Sequence, residues 1–246
     1  MKVRMKVSII IPVLDSHEIL RRQFLHFENM GIPKDTEIII VDDGSEMPIG
    51  YEGTLPVTIL RTNDKRPWTW ALARNMGAKQ AKGDMLLMFD LDHIITRELL
   101  DMVRTYDGEK IQFEREFAVL TEDGTFTQDL GILMSYGFPE TRLKNRGLKV
   151  SPLPNNFAMK KTTFWDMGGY REDVVERDYP QGEDRMFKSA WNKRIKSGIS
   201  RVHTERPTIY MFPNGYYCGD VDHNPFNLFH TLSRKTNRND KYTRGR

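Results

Sequence analysis

Two acidic signatures have residue types and spacing suited to chemistry: Asp90-Leu91-Asp92 within GDMLLMFDLDH, and Glu183-Asp184 within QGEDRMF. In the first, Met85 to Phe89 is a short unbroken apolar run, the length of a strand covered on both faces. Side chains on an extended chain alternate, so Asp90 and Asp92 point the same way and Leu91 turns back toward the core. Two carboxylates sharing one small volume repel, so a cation is expected between or near them. Carboxylate oxygens suit a hard ion such as Mg²⁺ or Mn²⁺, which in turn suits a diphosphate. The bland alternative is that one Asp caps the next turn and the other is solvated.

In the second signature, Glu183 and Asp184 open a helix whose apolar face is Phe187, Ala190, Trp191 and Ile195. Acids at that end are favoured by the helix amides, so serving the helix dipole is their structural alternative. Just upstream, NNFAMKKTTFWDMGGYRED carries Gly168 and Gly169, where backbone can approach a ligand closely.

The elements positioning these residues alternate strand and helix. Val7 to Val13 reads as a strand, and Asp15 with Glu18 as the cap and first-turn acid of a helix. Leu20, Phe24 and Phe27 share one face of that helix, which Gly31 and Pro33 end. Glu37 to Val41 is a second strand running into Asp42-Asp43-Gly44-Ser45, where Gly44 can take a positive φ and Ser45 can cap the next element. Val57 to Leu60 is a third strand, and Trp70 to Lys82 a helix with Gly83 as its C-cap. Thr96 caps a helix through Leu99, Leu100 and Val103. Ile111, Phe113, Phe117 and Val119 alternate as one strand before an Asp123-Gly124 turn. Residues 125 to 155 carry no clear period and read as an irregular connection or a loop beside the site. The expected fold is α/β, a Rossmann-like, mostly parallel sheet with helices on both faces, binding ligands beyond the carboxyl ends of its strands. Asp43, Asp90 and Asp92 all sit at such ends.

A chain of 246 residues, 39% hydrophobic and 29% charged, can bury a sizeable core in one large domain or two small ones. The single cysteine, Cys218, excludes an intrachain disulfide and fits a reducing, cytoplasmic setting. No apolar run reaches the ~20 residues of a membrane span. MKVRMKVSIIIPV has basic residues before an apolar run, but the run is too short for a signal peptide and Pro12 closes it, so it reads as the first strand. Net charge is +3, from 37 Lys and Arg against 34 Asp and Glu. The last sixteen residues hold six basic side chains (Arg234, Lys235, Arg238, Lys241, Arg244, Arg246) and one acid, Asp240, so without them the charge is −2. That basic tail reads as a solvated end, with a polyanion contact as the sharper alternative.

VSIIIPV, then IIIVDDGS, then ALARNMGAKQAKGDMLLMFDLDH resembles, in order and spacing over residues 5 to 100, the first half of a family 2 glycosyltransferase with the GT-A fold. GGY followed by the Glu-Asp pair resembles its later half. The resemblance implies a metal-dependent, inverting transfer from a nucleotide-sugar, a UDP-sugar first, to an acceptor hydroxyl. It places the nucleoside on Pro12 and Asp43, and the nucleotide phosphates near Arg74. Asp90, Leu91 and Asp92 form the DxD that carries Mn²⁺ or Mg²⁺. Gly169 lies near the donor sugar, Glu183 holds the acceptor and Asp184 is the general base. Turn chemistry is the alternative for Asp43, and a surface ion pair for Arg74. Related enzymes often supply a histidine to the metal after the Glu-Asp helix. The aligned stretch, Thr208 to Asn214, has none; of His203, His223 and His230, the third ligand falls to His223 in DVDHNP. The implied glycosyltransferase domain spans 1–205, nucleotide-binding to about 100 and acceptor-binding and catalytic from 101, with 206–246 a C-terminal extension. The acceptor stays open among a glycan, a small molecule and a modified nucleic acid.

Two readings compete. FDLDHIIT also resembles the motif of the haloacid dehalogenase superfamily, whose first Asp, here Asp90, is a nucleophile. That motif usually lies on the first strand, and it leaves VDDGS and the GGY and Glu-Asp pair unexplained. A non-enzymatic polyanion-binding module could use the tail with Trp68, Trp70 and Tyr242 as stacking surfaces, but it gives the acids no purpose.

Overall fold

The computed structural model describes residues 5–64, 66, 69–173, 182–204 and 206–213. Trp68, Gln181, Cys218, His223, His230 and the basic tail lie outside the described residues. Strand β1 (Val7–Val13) leads through helix α1 (His17–Met30) to β2 (Thr36–Asp42) and β3 (Val57–Arg61), and α2 (Trp70–Gln80) returns the chain to β4 (Met85–Met88). Next come β5 (His93–Ile94), α3 (Arg97–Thr105), β6 (Lys110–Gln112), β7 (Glu114–Phe117) and a hairpin of β8 (Val119–Leu120) and β9 (Phe126–Thr127). Helices α4 (Leu130–Ser135) and α5 (Glu140–Arg146), then β10 (Lys149–Val150), β11 (Phe157–Lys160), α6 (Lys161–Asp166), α7 (Glu183–Lys196) and β12 (Thr208–Met211) complete the order.

The main sheet runs β3-β2-β1-β4-β11-β6, with the first four strands parallel and β11 antiparallel to both its neighbours. A second sheet runs β10-β7-β12-β5. Every residue of β1 and β4 is buried, as expected of strands covered on both faces. Alternate side chains feed two separate cores. Val7, Ile9, Ile11 and Val13 pack with α1 and α3, whereas Ile10, Leu86 and Met88 pack with α2, α6 and α7. Helix α2 lies close on the sheet because it is built of small residues: a Cβ on Gly77 would come within 2.6 Å of the Ile10 side chain.

Several local expectations change. Ser16, not Asp15, is the N-cap of α1; Asp15 sits at φ 49° and its carboxylate accepts from the Glu46 backbone N–H at 2.7 Å instead. Gly83 does not cap α2, which ends at Gln80 with Ala81 following; Gly83 is required because a Cβ there would meet the Ser8 backbone at 2.6 Å. Ser45 caps no helix, its hydroxyl accepting from the Asp15 N–H at 2.9 Å. The strand expected over residues 111 to 119 is divided among β6, β7 and β8, which belong to three different sheets. The Thr96 cap is present, accepting from Leu99 N–H at 3.3 Å.

Candidate active site

Strand order reverses between β1 and β4, since the chain leaves β1 toward β2 and β3 and comes back on the other side. Such a switch point opens a crevice at the carboxyl ends of the strands. Pro12 helps to open it. The Ile10 carbonyl accepts from Phe89 on the β4 side, and alternation puts position 12 on that same side, past the last β1–β4 pair, Ile10 with Met88. A proline there forfeits no ladder bond. Asp43, at the end of β2, is fully buried; its N–H donates to the Val13 carbonyl at 2.7 Å and its Oδ1 accepts from the Thr69 and Thr62 hydroxyls at 2.5 and 3.3 Å. Thr69 is the residue before α2, so Asp43 sits where that helix's amides favour an acid.

Asp90-Leu91-Asp92 is a turn, not a strand extension. Strand β4 ends at Met88, and the His93 N–H donates to the Asp90 carbonyl at 2.9 Å. The turn brings the two acids together and drives Leu91 into the core. From α1, the Gln23 amide donates to the Leu91 and His93 carbonyls at 3.1 and 2.6 Å, holding the turn from behind. Asp92 is bonded to His93 Nδ1 at 2.6 Å, and the Asp92 carbonyl accepts from Phe212 N–H at 2.8 Å. A cation of the chain's own also stands at the pair: the Arg74 guanidinium is ion-paired with Asp90.

Arg74 also reaches Glu183 at 3.5 Å and lies 5.5 Å from the centre of the Tyr170 ring. Burial works against its charge, but Asp90, Tyr170 and Glu183 outweigh it and hold its pKa above the ordinary arginine value. Burial likewise pushes the Tyr170 hydroxyl up; Arg74 opposes this, and the charges of Asp90, Glu183 and Asp184 add to it. Asp90, Glu183 and Asp184 are thus all near enough to this buried tyrosine for their charges to act on it. The adjacent Asn75 exchanges two hydrogen bonds with the Tyr170 backbone, at 2.8 and 2.9 Å, fixing the GGY turn. Gly169 takes φ 67°, and a Cβ there would meet the Asn75 oxygen at 2.8 Å. Tyr170 then stacks on Phe187 of α7, 4.5 Å between ring centres.

Arg74, Glu183, Asp90, Asp92, Asp184 and Gly169 thus gather around the crevice, whereas the Leu91 side chain does not face it. His203 packs edge-on against Tyr106 at 4.8 Å. Asn75, Gln23, Asn156 and His93 were not singled out by sequence reasoning; the position of His93 beside the DxD and Asn75 within ARN were the available signals. The ligand-capable atoms of Asp90, Asp92 and His93 lie within 4.8 Å of one another, and the two carboxylates are the oxygen donors that Mn²⁺ or Mg²⁺ takes, so the residues fit such an ion.

Residues 8–165 match the family model of glycosyl transferase family 2. The chain belongs to that family. It is 30% identical over 262 residues to an uncharacterized glycosyltransferase, YfnE, of Bacillus subtilis, covering 83% of this chain and 66% of the relative. It is 32% identical over 93 residues to a dolichol-phosphate mannosyltransferase of Pyrococcus furiosus, covering 36% of this chain and 26% of the relative. The chain therefore spans less than two thirds of the curated relatives it matches. Among solved structures it resembles the mannosyltransferase PcManGT of Pyrobaculum calidifontis in complex with GDP-Man and Mn²⁺, at a TM-score of 0.53 and 17% identity over 87% of this chain and 59% of that one. It also resembles S. aureus TarS 1-349 in complex with UDP, at 0.53 and 14% over 95% and 65%. These likenesses show the GT-A fold. The family match ends before Glu183 and Asp184. Among the described residues no helix is long and apolar enough to cross a membrane.

Proposed function

We propose that the chain is a metal-dependent, inverting glycosyltransferase that moves a sugar from a UDP-sugar to an acceptor hydroxyl. The observation that carries this reading is the double ion pair of Arg74, which joins Asp90 of the DxD to Glu183 of the Glu-Asp pair across the switch-point crevice. One cation thereby ties the two acidic signatures into a single site. A divalent ion held by Asp90 and Asp92, with His223 as a third ligand, would supply positive charge against the leaving diphosphate. Pro12 and Asp43 hold the nucleoside, and the guanidinium of Arg74 is matched to phosphate oxygens. Glu183 and the backbone at Gly169 position the acceptor and the donor sugar. Asp184 takes the proton of the acceptor hydroxyl as its oxygen bonds to the anomeric carbon and the bond to the diphosphate breaks, so the configuration inverts.

A GDP-mannose donor is the second reading, supported by the mannosyltransferase relative and by the neighbour bound to GDP-Man. A screen of UDP- and GDP-sugars for nucleotide release with Mn²⁺ present separates the two, and NMR of the product's anomeric centre checks inversion. Retention of the donor configuration would contradict the single displacement. The haloacid dehalogenase reading is not carried forward, because the family match accounts for VDDGS as well as for the DxD.

A further inference from the structure

Asp92 is the inner carboxylate of the DxD, and its orientation is fixed by a buried chain of hydrogen bonds that begins at Asn156, just before β11. The Asp90 backbone N–H can only donate, and the side-chain oxygen of Asn156 accepts from it at 3.3 Å. That settles which way the Asn156 amide points, so its nitrogen faces His93 Nε2 at 2.6 Å. Arg115, a second donor, faces the same ring nitrogen at 3.3 Å. With two donors aimed at it, Nε2 accepts, and the ring hydrogen sits on Nδ1, which donates to Asp92 at 2.6 Å. His93 and Asn156 are both fully buried and Arg115 nearly so. The Asn156 backbone is held in turn, its carbonyl accepting from Gln112 at 2.6 Å.

We infer that His93 is a positioning residue for Asp92 and not a metal ligand, and that Asn156 sets it. The proximity of His93 to the two acids suggests a three-ligand site, but its Nδ1 carries a hydrogen toward Asp92 and its Nε2 lone pair points away, into Asn156 and Arg115. Asn156 thus grips both ends of the turn, Asp90 through its backbone and Asp92 through the imidazole. A carboxylate held this way meets a cation without first losing rotamer freedom, and removing such supporting partners typically weakens metal affinity about 10–100-fold. The inference rests on the metal-binding reading of Asp90 and Asp92.

The test is a titration of Mn²⁺ into the full chain saturated with UDP, following the electron paramagnetic resonance of unbound Mn²⁺. His93→Ala and Asn156→Leu are expected to weaken Mn²⁺ binding about 10–100-fold, whereas His93→Asn, whose amide can donate to Asp92 from near the Nδ1 position, stays close to wild type. Circular dichroism checks that each variant is folded. Imidazole ¹⁵N NMR of the wild type, with the His93 signal assigned by its loss in His93→Asn, gives a second readout. The Nδ1-bound hydrogen is expected to persist when Mg²⁺ and UDP are added. Wild-type affinity in His93→Ala, failure of His93→Asn to restore it, or loss of that hydrogen on adding Mg²⁺ would overturn this inference alone. Absence of Mn²⁺ binding by the wild type would overturn the metal-dependent reading and this inference with it.

Discussion

Asp184 and Asp92 are both acids at the crevice, yet they are expected to fail differently. A base that acts only in the chemical step should affect turnover and leave ground-state donor binding alone. Asp184→Asn keeps the size and removes the basicity, so turnover is expected to fall roughly 10²-fold or more while donor affinity stays within about threefold, by a turnover assay and calorimetry. Turnover near wild type would remove Asp184 from the mechanism. Residue types and order carried most of this site: DLD, VDDGS, ARN and the Glu-Asp pair can be read off the chain. The geometry of the DxD could not, because side-chain alternation presumes an extended chain and Asp90-Leu91-Asp92 turns. Nor could the Asn156–His93 contact, whose members stand 63 positions apart and meet only because β11 lies beside β4.

At the scale of elements, the buried parallel strands were legible because unbroken apolar runs such as VSIIIPV have few other uses. The stretch from 125 to 155 was not, since α4 and α5 are six and seven residues long and α5 buries none of its side chains, leaving no period to detect. Helix α2 makes a discriminating case. Gly to Ala within an exposed helix gains up to about 1 kcal/mol, but at Gly77 the new Cβ would stand 2.6 Å from Ile10. Overpacking wins, so Gly77→Ala is expected to destabilise the fold by about 1–3 kcal/mol in urea unfolding; a stabilised variant would contradict the close packing of α2. Helix α7 docks over a buried lysine of β6. The Lys110 ammonium lies 4.7, 5.8 and 5.4 Å from the rings of Phe157, Phe187 and Trp191. Those rings attract a cation, yet burial, reinforced by Lys188, dominates and lowers the Lys110 pKa from 10.5 to about 7. Between those values the unfolded chain binds more protons than the folded one, so this group makes stability rise with pH across that window, by at most about 1.4 kcal/mol per pH unit, and adds nothing further above it. Lys110→Met is expected to flatten the rise between pH 7 and pH 9 in urea unfolding; an unchanged slope would contradict it.

For the whole molecule, a switch-point crevice follows from strand order alone, and each acid stands at a strand or helix end that faces it. The family match covers the main sheet and the DxD, while the Glu-Asp helix is tied in by Arg74, Asn75 and Tyr170. The central claim, that Asp90 and Asp92 hold a divalent ion against a nucleotide diphosphate, is tested most directly by calorimetric titration of UDP, and of GDP in parallel, into the full chain with Mn²⁺ or with EDTA. One of the two nucleotides is expected to bind with Mn²⁺ present, to lose its affinity in EDTA, and to bind Asp92→Asn no better in Mn²⁺ than it binds the wild type in EDTA. Equal affinity with Mn²⁺ and with EDTA would contradict the metal role of Asp90 and Asp92.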